Sequence, residues 1–305
     1  MNTQTLPLPS CAVHWLLSPQ AGLVAATVLW SGNFVIGRAV RGEVEPLVLN
    51  FWRWTIAAAV LAPFVWRAFR GEAAALRVHW RYVVALGFTG LALPHTCSYH
   101  ALQGTSPVNA LLILMLMPAL VAVLAWRFFG QPMERAQWAG IALALSGAAW
   151  ILVRGEWPSL ARLRFSGSDL WMLPAVLGSS AHMLLLRRTP AGLTQGPLLL
   201  ASTLAAVLLM GTALPWLSST DQLTAVAGVW PAALYVGVFA SAAAFLCWNR
   251  GVVRVGPARA APYMYLMPLY ASVLSVLFIG EAVQPYQAAG GALVLGGLWL
   301  ARERR

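Results

Sequence analysis

The side chains in this chain that could do chemistry are few, mostly neutral and embedded in apolar stretches. Ser179 and His182 share a face in helical register, His95 and Tyr99 stand one turn apart, and Trp30, Ser31 and Asn33 gather on a third segment. Asn109, Trp248 and Tyr263 complete the set. Amide, hydroxyl and imidazole groups among aromatic rings suit the binding of a small polar molecule. They offer donors for a carboxylate and ring faces for an ammonium or an apolar side chain. Covalent chemistry is poorly served. Ser179 with His182 is the nearest approach to a nucleophile and base, and neither Gly-x-Ser-x-Gly nor His-Glu-x-x-His occurs. Cys11, Cys97 and Cys247 lack metal-ligand spacing, so the sequence predicts no metal and no cofactor.

The elements that must position these groups are membrane helices. A hydrophobic content of 60%, 10% charged residues and a mean hydropathy of +0.71 exceed what a soluble core of this size requires. Apolar runs fall near 21–40, 46–66, 82–100, 107–126, 136–153, 170–186, 196–217, 229–249, 257–279 and 284–301. The expected fold is all-α and polytopic, with ten transmembrane helices. The net charge of +11 does not point to nucleic acid, because every basic residue is Arg and most sit at span ends. With a cytoplasmic N-terminus, fourteen Arg fall on the cytoplasmic side against five outside, which puts both termini in the cytoplasm.

The chain repeats itself. Pro107, Leu116, Met117, Pro118, Gly130, Gln137, Gly140 and Gly147 recur 150 positions later as Pro257, Leu266, Met267, Pro268, Gly280, Gln287, Gly290 and Gly297, in the same register as Trp80/Trp230, Gly87/Gly237 and Cys97/Cys247. The expected organisation is a cytoplasmic tail 1–20, carrying Trp15, Leu16 and Leu17 along the interface, a first five-helix repeat 21–153, an external linker 154–168, a second repeat 169–301 and a tail 302–305. Five spans per repeat is an odd number, so the second copy enters the membrane from the opposite side and the repeats are inverted. Inverted halves can exchange conformations and open a midplane cavity to alternate sides. Pro118 and Pro268 lie at matching mid-span positions and are the expected hinges, because proline releases a carbonyl one turn earlier and bends the helix. Glycines in spans five and ten, Gly140, Gly147, Gly290 and Gly297, read as packing faces, within one chain or between two.

None of the nine acids falls in the middle third of a span. A proton route would therefore need His95, His182 or an end-placed acid such as Asp169. Movement of a substrate down its own gradient, as a facilitator or exchanger, or weak proton coupling through His, is favoured over a carboxylate-driven pump. Arg53, two turns into span two, is expected to snorkel or to pair with Glu43 or Glu45 near the outer face.

The residues also resemble a known family. Leu29-Trp30-Ser31-Gly32-Asn33-Phe34-Val35 followed by Arg38, then Pro46, Phe51, Arg53, Ala57 and Pro63, and Gly280-Glu281 in the second half, are similar to the drug/metabolite transporter superfamily, specifically its ten-helix EamA-type exporters. The first half departs with Gly130-Gln131. This resemblance implies a basket-like bundle of two repeats in a bacterial inner membrane, exporting amino acids or related metabolites. The expected substrate-binding residues are Trp30, Ser31, Asn33, His95, Tyr99, Asn109, Ser179, His182, Trp248 and Tyr263. The expected partners are a small-molecule substrate and membrane lipid, without nucleic acid, in a chain able to act as a monomer. The alternatives are a proton-coupled exporter of other metabolites or drugs, and an intramembrane enzyme.

Overall fold

In the computed structural model, residues 18–130, 133–218, 224–279 and 284–301 are described. Cys11, Trp15, Leu16, Leu17, Gln131, Gly280, Glu281 and the tail 302–305 lie outside them. Among the described residues ten helical rods follow one another, with the short helices Ala73–Val78, Pro158–Ala161 and Val226–Val229 in the connections between them. We number them α1 (Pro19–Ser31, resumed as Asn33–Ala39), α2 (Pro46–Gly71), α3 (Trp80–Gly87, Phe88–Ala92, Leu93–Gly104), α4 (Pro107–Leu114, Met117–Phe129), α5 (Arg135–Leu152), α6 (Gly167–Trp171, Met172–Arg187), α7 (Gln195–Leu217), α8 (Trp230–Leu234, Tyr235–Ala243, Ala244–Val255), α9 (Pro257–Ala260, Ala261–Tyr265, Leu266–Ile279) and α10 (Pro285–Ala301). Among the described residues five segments are long and apolar enough to cross a bilayer as they stand, namely α2, α4, α6, α7 and Val226–Val255. Their outward faces carry Phe64, Trp66, Trp126, Phe128, Leu208 and Trp216, all exposed in the way a lipid solvent demands.

The recurring residues have recurring tasks. Pro107 and Pro257 open α4 and α9 at the first helical position, where a missing N–H costs nothing. Gln137 and Gln287 cap α5 and α10, each accepting the backbone N–H three residues earlier, of Glu134 and of Gln284, at 2.9 Å. Gly87 and Gly237 let helices cross closely. A Cβ on Gly87 would meet Ser202 O of α7 at 2.5 Å, and one on Gly237 would meet Ile56 of α2 at 2.7 Å. Contacts between the halves come in matching pairs: α1 on α8 with α6 on α3, α1 on α9 with α6 on α4, α2 on α8 with α7 on α3. The helices α2 and α7, and α5 and α10, pack on their own counterparts. This is the pattern of a pseudo-two-fold axis between the halves.

At α5 and α10 the axis can be read residue by residue. Cβ atoms on Gly140 and Gly147 would meet Gly297 O and Gly290 O, both at 2.6 Å, so two equivalent helices lie antiparallel with backbones nearly touching. The glycine faces therefore pack within one chain. A Gly147→Leu variant forces a side chain into Gly290 O, and such overpacking costs about 1–3 kcal/mol or more. The expected result is a lower Tm in detergent and a smaller monodisperse fraction on gel filtration.

α3 and α8 are each interrupted by π-helical turns at equivalent places, Phe88–Ala92 and Tyr235–Ala243. A wider turn frees carbonyls from the helical ladder, and inside a membrane those must find donors. Leu91 O accepts Asn50 Nδ2 and Trp54 Nε1, both at 3.1 Å. Ala240 O accepts Trp30 Nε1 at 2.7 Å and Arg53 Nη2 at 3.1 Å. The interruptions thus hold α1 and α2 against the middle of the bundle, where the cavity lies.

Candidate functional site

A cavity of about 80 Å³ lies between the halves, lined by residues of α1, α3, α4, α6, α8 and α9. Six of the expected residues reach it: Trp30, Asn33, His95, Ser179, His182 and Trp248. They are joined by Ser98, Leu114, Met117, Phe245, Met264 and Met267, together with Gly90, Pro94 and Met183. The lining obeys the repeat. His95, Ser98, Leu114 and Met117 have Phe245, Trp248, Met264 and Met267 as partners at the 150-residue offset, and Trp30 and Asn33 have Ser179 and His182 at 149. The repeat offset was the signal in the sequence that could have found Leu114, Met117, Met264, Met267 and Phe245, which otherwise look like ordinary lipid-soluble side chains.

The aromatic wall is built around Trp30, with Trp248 and Phe245 rings centred 5.0 and 5.2 Å away. Phe245 also touches the rings of Trp54 and His95. Four methionines supply a polarizable, adaptable surface opposite. The polar content is smaller than the sequence suggested: one amide, two imidazoles and two hydroxyls. His95 Nε2 and His182 Nδ1 are buried without a hydrogen-bond partner. His182 Nε2 lies 3.5 Å from Asn249 Oδ1, and the equivalent pair in the first half is Asn33 Oδ1 with the Tyr99 hydroxyl at 3.0 Å.

Four expected residues stand away from the lining. The Ser31 hydroxyl donates back to Thr27 O at 2.8 Å, within its own helix. Tyr99 sits behind Asn33, donating to that amide. Tyr263 packs half-buried against the apolar core. Asn109 opens α4 and donates through Nδ2 to Arg164 O at 3.1 Å, which pins the 154–168 segment to the end of the bundle. Asp169 strengthens the same attachment: its carboxylate accepts the Thr105 hydroxyl and the Ser166 N–H and hydroxyl. A Thr105→Val variant leaves a buried carboxylate oxygen short of a donor, which costs about 1–3 kcal/mol. Thermal unfolding in detergent should show a corresponding fall in Tm, with the cavity itself untouched.

Arg53 overturns its expectation. It neither snorkels nor meets Glu43 or Glu45; it is fully buried beside the cavity. Its Nε donates to Ser241 Oγ, its Nη1 to the Tyr99 hydroxyl at 3.1 Å and Asn33 Oδ1 at 3.4 Å, and its Nη2 to Ala240 O. Trp54 stacks on it, with the guanidinium carbon 5.3 Å from the ring centre. The helix enters the bundle rather than skirting it, because α2 packs on both α7 and the π-helical turn of α8. Among the described residues no cluster of His, Cys, Asp or Glu could hold a metal ion.

A multi-pass helical bundle of two related halves, with a small aromatic and methionine-rich cavity between them, is an architecture suited to a membrane transporter. The chain belongs to the EamA-like transporter family, whose model matches residues 19–153 and 167–302. It is 26% identical to an uncharacterized transporter, YyaM, of Bacillus subtilis, covering 92% of each chain. It is 27% identical to a probable terminal-alkyne amino-acid exporter of Streptantibioticus cattleyicolor, again over 92% of each. A probable biotin transporter of Pseudomonas aeruginosa is 27% identical over 93% of this chain and 97% of its own.

Proposed function

We propose that the protein exports amino acids or similar small polar metabolites across a bacterial inner membrane by alternating access, as a facilitator or exchanger. The observation that carries this reading is the cavity's composition, in which six equivalent pairs of residues, one member from each half, make up most of the lining. Two similar half-sites facing each other across a pseudo-two-fold axis can trade conformations, so that what one half does at one face the other does at the opposite face. The antiparallel course of α5 and α10 supports inversion of the repeats 21–153 and 169–301. The excess of Arg on one side supports a cytoplasmic location for both termini. The linker 154–168 then closes the outer end, through Asn109 and Asp169. Nothing in the lining needs a second chain, so a monomer suffices. Two of the relatives are named as a probable terminal-alkyne amino-acid exporter and a probable biotin transporter, and a small substrate with a carboxylate and an apolar body fits donors set among Trp, Phe and Met.

Counterflow tests the substrate. Proteoliposomes loaded with an unlabelled amino acid should accumulate the labelled one with no ion gradient imposed. Silence across a panel of amino acids sinks the assignment. A second reading, proton coupling, is favoured by the unpartnered nitrogens of His95 and His182 beside the cavity; it holds if uptake appears only with a pH gradient and vanishes when both are changed to Gln.

A further inference from the structure

We infer that Arg53 makes the cavity a carboxylate site, by turning the Asn33 amide so that its NH₂ group faces the substrate and by supplying a buried charge that the substrate's carboxylate balances. The inference rests on the small-molecule transport reading above but not on the substrate being an amino acid. An arginine side chain only donates hydrogen bonds, so the Asn33 atom facing Nη1 must be the oxygen, and the Tyr99 hydroxyl donates to the same atom. The Asn33 oxygen is thereby held on the Arg53 side, and the two Nδ2 donors are directed away from it on a residue that lines the cavity. A site that shows only donors at this point selects an acceptor.

The charge makes the same selection. A guanidinium in the hydrocarbon region is costly, and the cost is relieved by an anion. The acceptors described around Arg53 are two hydroxyls, an amide oxygen and a backbone carbonyl, all neutral, and no ion pair to it is found among the described residues. In the second half the equivalent positions, at offsets of 149 and 150, are Ser202 and Thr203. The pseudo-symmetry is therefore broken by one positive charge on the α2 side, which gives an otherwise two-fold cavity a preferred orientation for its ligand. Arg53 acts through Asn33 and through its field, as a positioning residue.

Purified protein in detergent is titrated with shape-matched pairs, phenylacetate against phenylacetamide and L-phenylalanine against L-phenylalaninamide, and thermal stabilisation is read as an apparent affinity. In the wild type the acid of at least one pair should bind about tenfold or more tightly than its amide. Arg53→Gln should bring the ratio near one. Because that variant could fail to fold, Asn33→Asp serves beside it. A carboxylate next to Arg53 is an internal counterion, so the ligand-free Tm should rise while the preference for the acid disappears. A purely structural Arg53 would lower Tm on substitution and leave the ratio unchanged, which overturns the inference, as does a wild type that ranks acids and amides alike or binds neither. Discrimination by phenylacetate with none by phenylalanine keeps the inference and removes the amino-acid reading.

Discussion

Gly90→Ala should all but stop transport while the bundle still folds. The added Cβ would overlap the His182 imidazole, 2.5 Å from Cε1 and closer still to Nδ1 and Cγ. His182 is walled by the π-helical turn of α3 on one side and by Phe245 and Asn249 on the other, so the ring escapes only into the cavity. A displaced imidazole fills much of about 80 Å³ and breaks the contact with Asn249. Overpacking of this kind costs about 1–3 kcal/mol in stability, which a bundle of this size survives. Its effect on counterflow should be about tenfold or more, because the space for substrate is gone. Gly211→Ala is the control: its Cβ would meet only Phe51 Cε2 at 3.4 Å, and replacing a helical glycine should raise Tm with transport unchanged. Transport at the wild-type rate in Gly90→Ala would remove His182 and the cavity from the path.

The helical rods were legible because a bilayer leaves a chain few choices. Each span must bury its own backbone polar groups, so long apolar runs between Pro, Gly and Arg mark helices with little ambiguity. The repeat was legible for a related reason. Caps and close crossings admit few residue types, and Gln137/Gln287, Pro107/Pro257 and Gly87/Gly237 each do one such task twice. The π-helical turns were not foreseen. They span Phe88–Ala92 and Tyr235–Ala243 with no proline within them, and the carbonyls they release are taken up by donors from other helices, Asn50 and Trp54 for one, Trp30 and Arg53 for the other.

The site was half legible, and the division follows physics. A polar residue in a span must face inward, but inward includes partners that lie far along the chain. Asn109 finds Arg164 O, Ser31 finds its own helix, and Tyr99 finds Asn33 and Arg53, so none of these three lines the cavity. Arg53 illustrates the converse. Its depth is set by how α2 leans on α7 and α8, and two of its acceptors, Ser241 and Ala240, come from the other half of the chain. Counting residues from the start of a span measures height along one helix, not burial in the bundle.

The largest gain in understanding would come from Pro118→Ala combined with Pro268→Ala, which should raise stability and cut turnover about tenfold or more, with ligand binding retained. The structure places each proline just past a break rather than at a smooth bend. α4 stops at Leu114 and resumes at Met117, with Leu116 N bonded to Ile113 O in a tight i−3 turn, and α9 passes through the 3₁₀ segment Ala261–Tyr265 before Leu266. Cavity residues straddle both breaks: Leu114 and Met117 in α4, Met264 and Met267 in α9. A swivel at either break would therefore move one lining residue against the other. Proline holds the break open because it lacks the N–H that would bond Leu114 O or Met264 O and because its ring crowds that carbonyl. Alanine restores the donor, and in a helix interior it is favoured over proline by up to about 3 kcal/mol, part of which the existing packing will offset. A higher Tm with slow exchange and an unchanged ligand-induced shift would separate motion from binding. Each single variant should give a smaller loss than the pair, since the halves are equivalent. Turnover that survives in the double variant would show that the breaks only shape the cavity and that the halves move elsewhere.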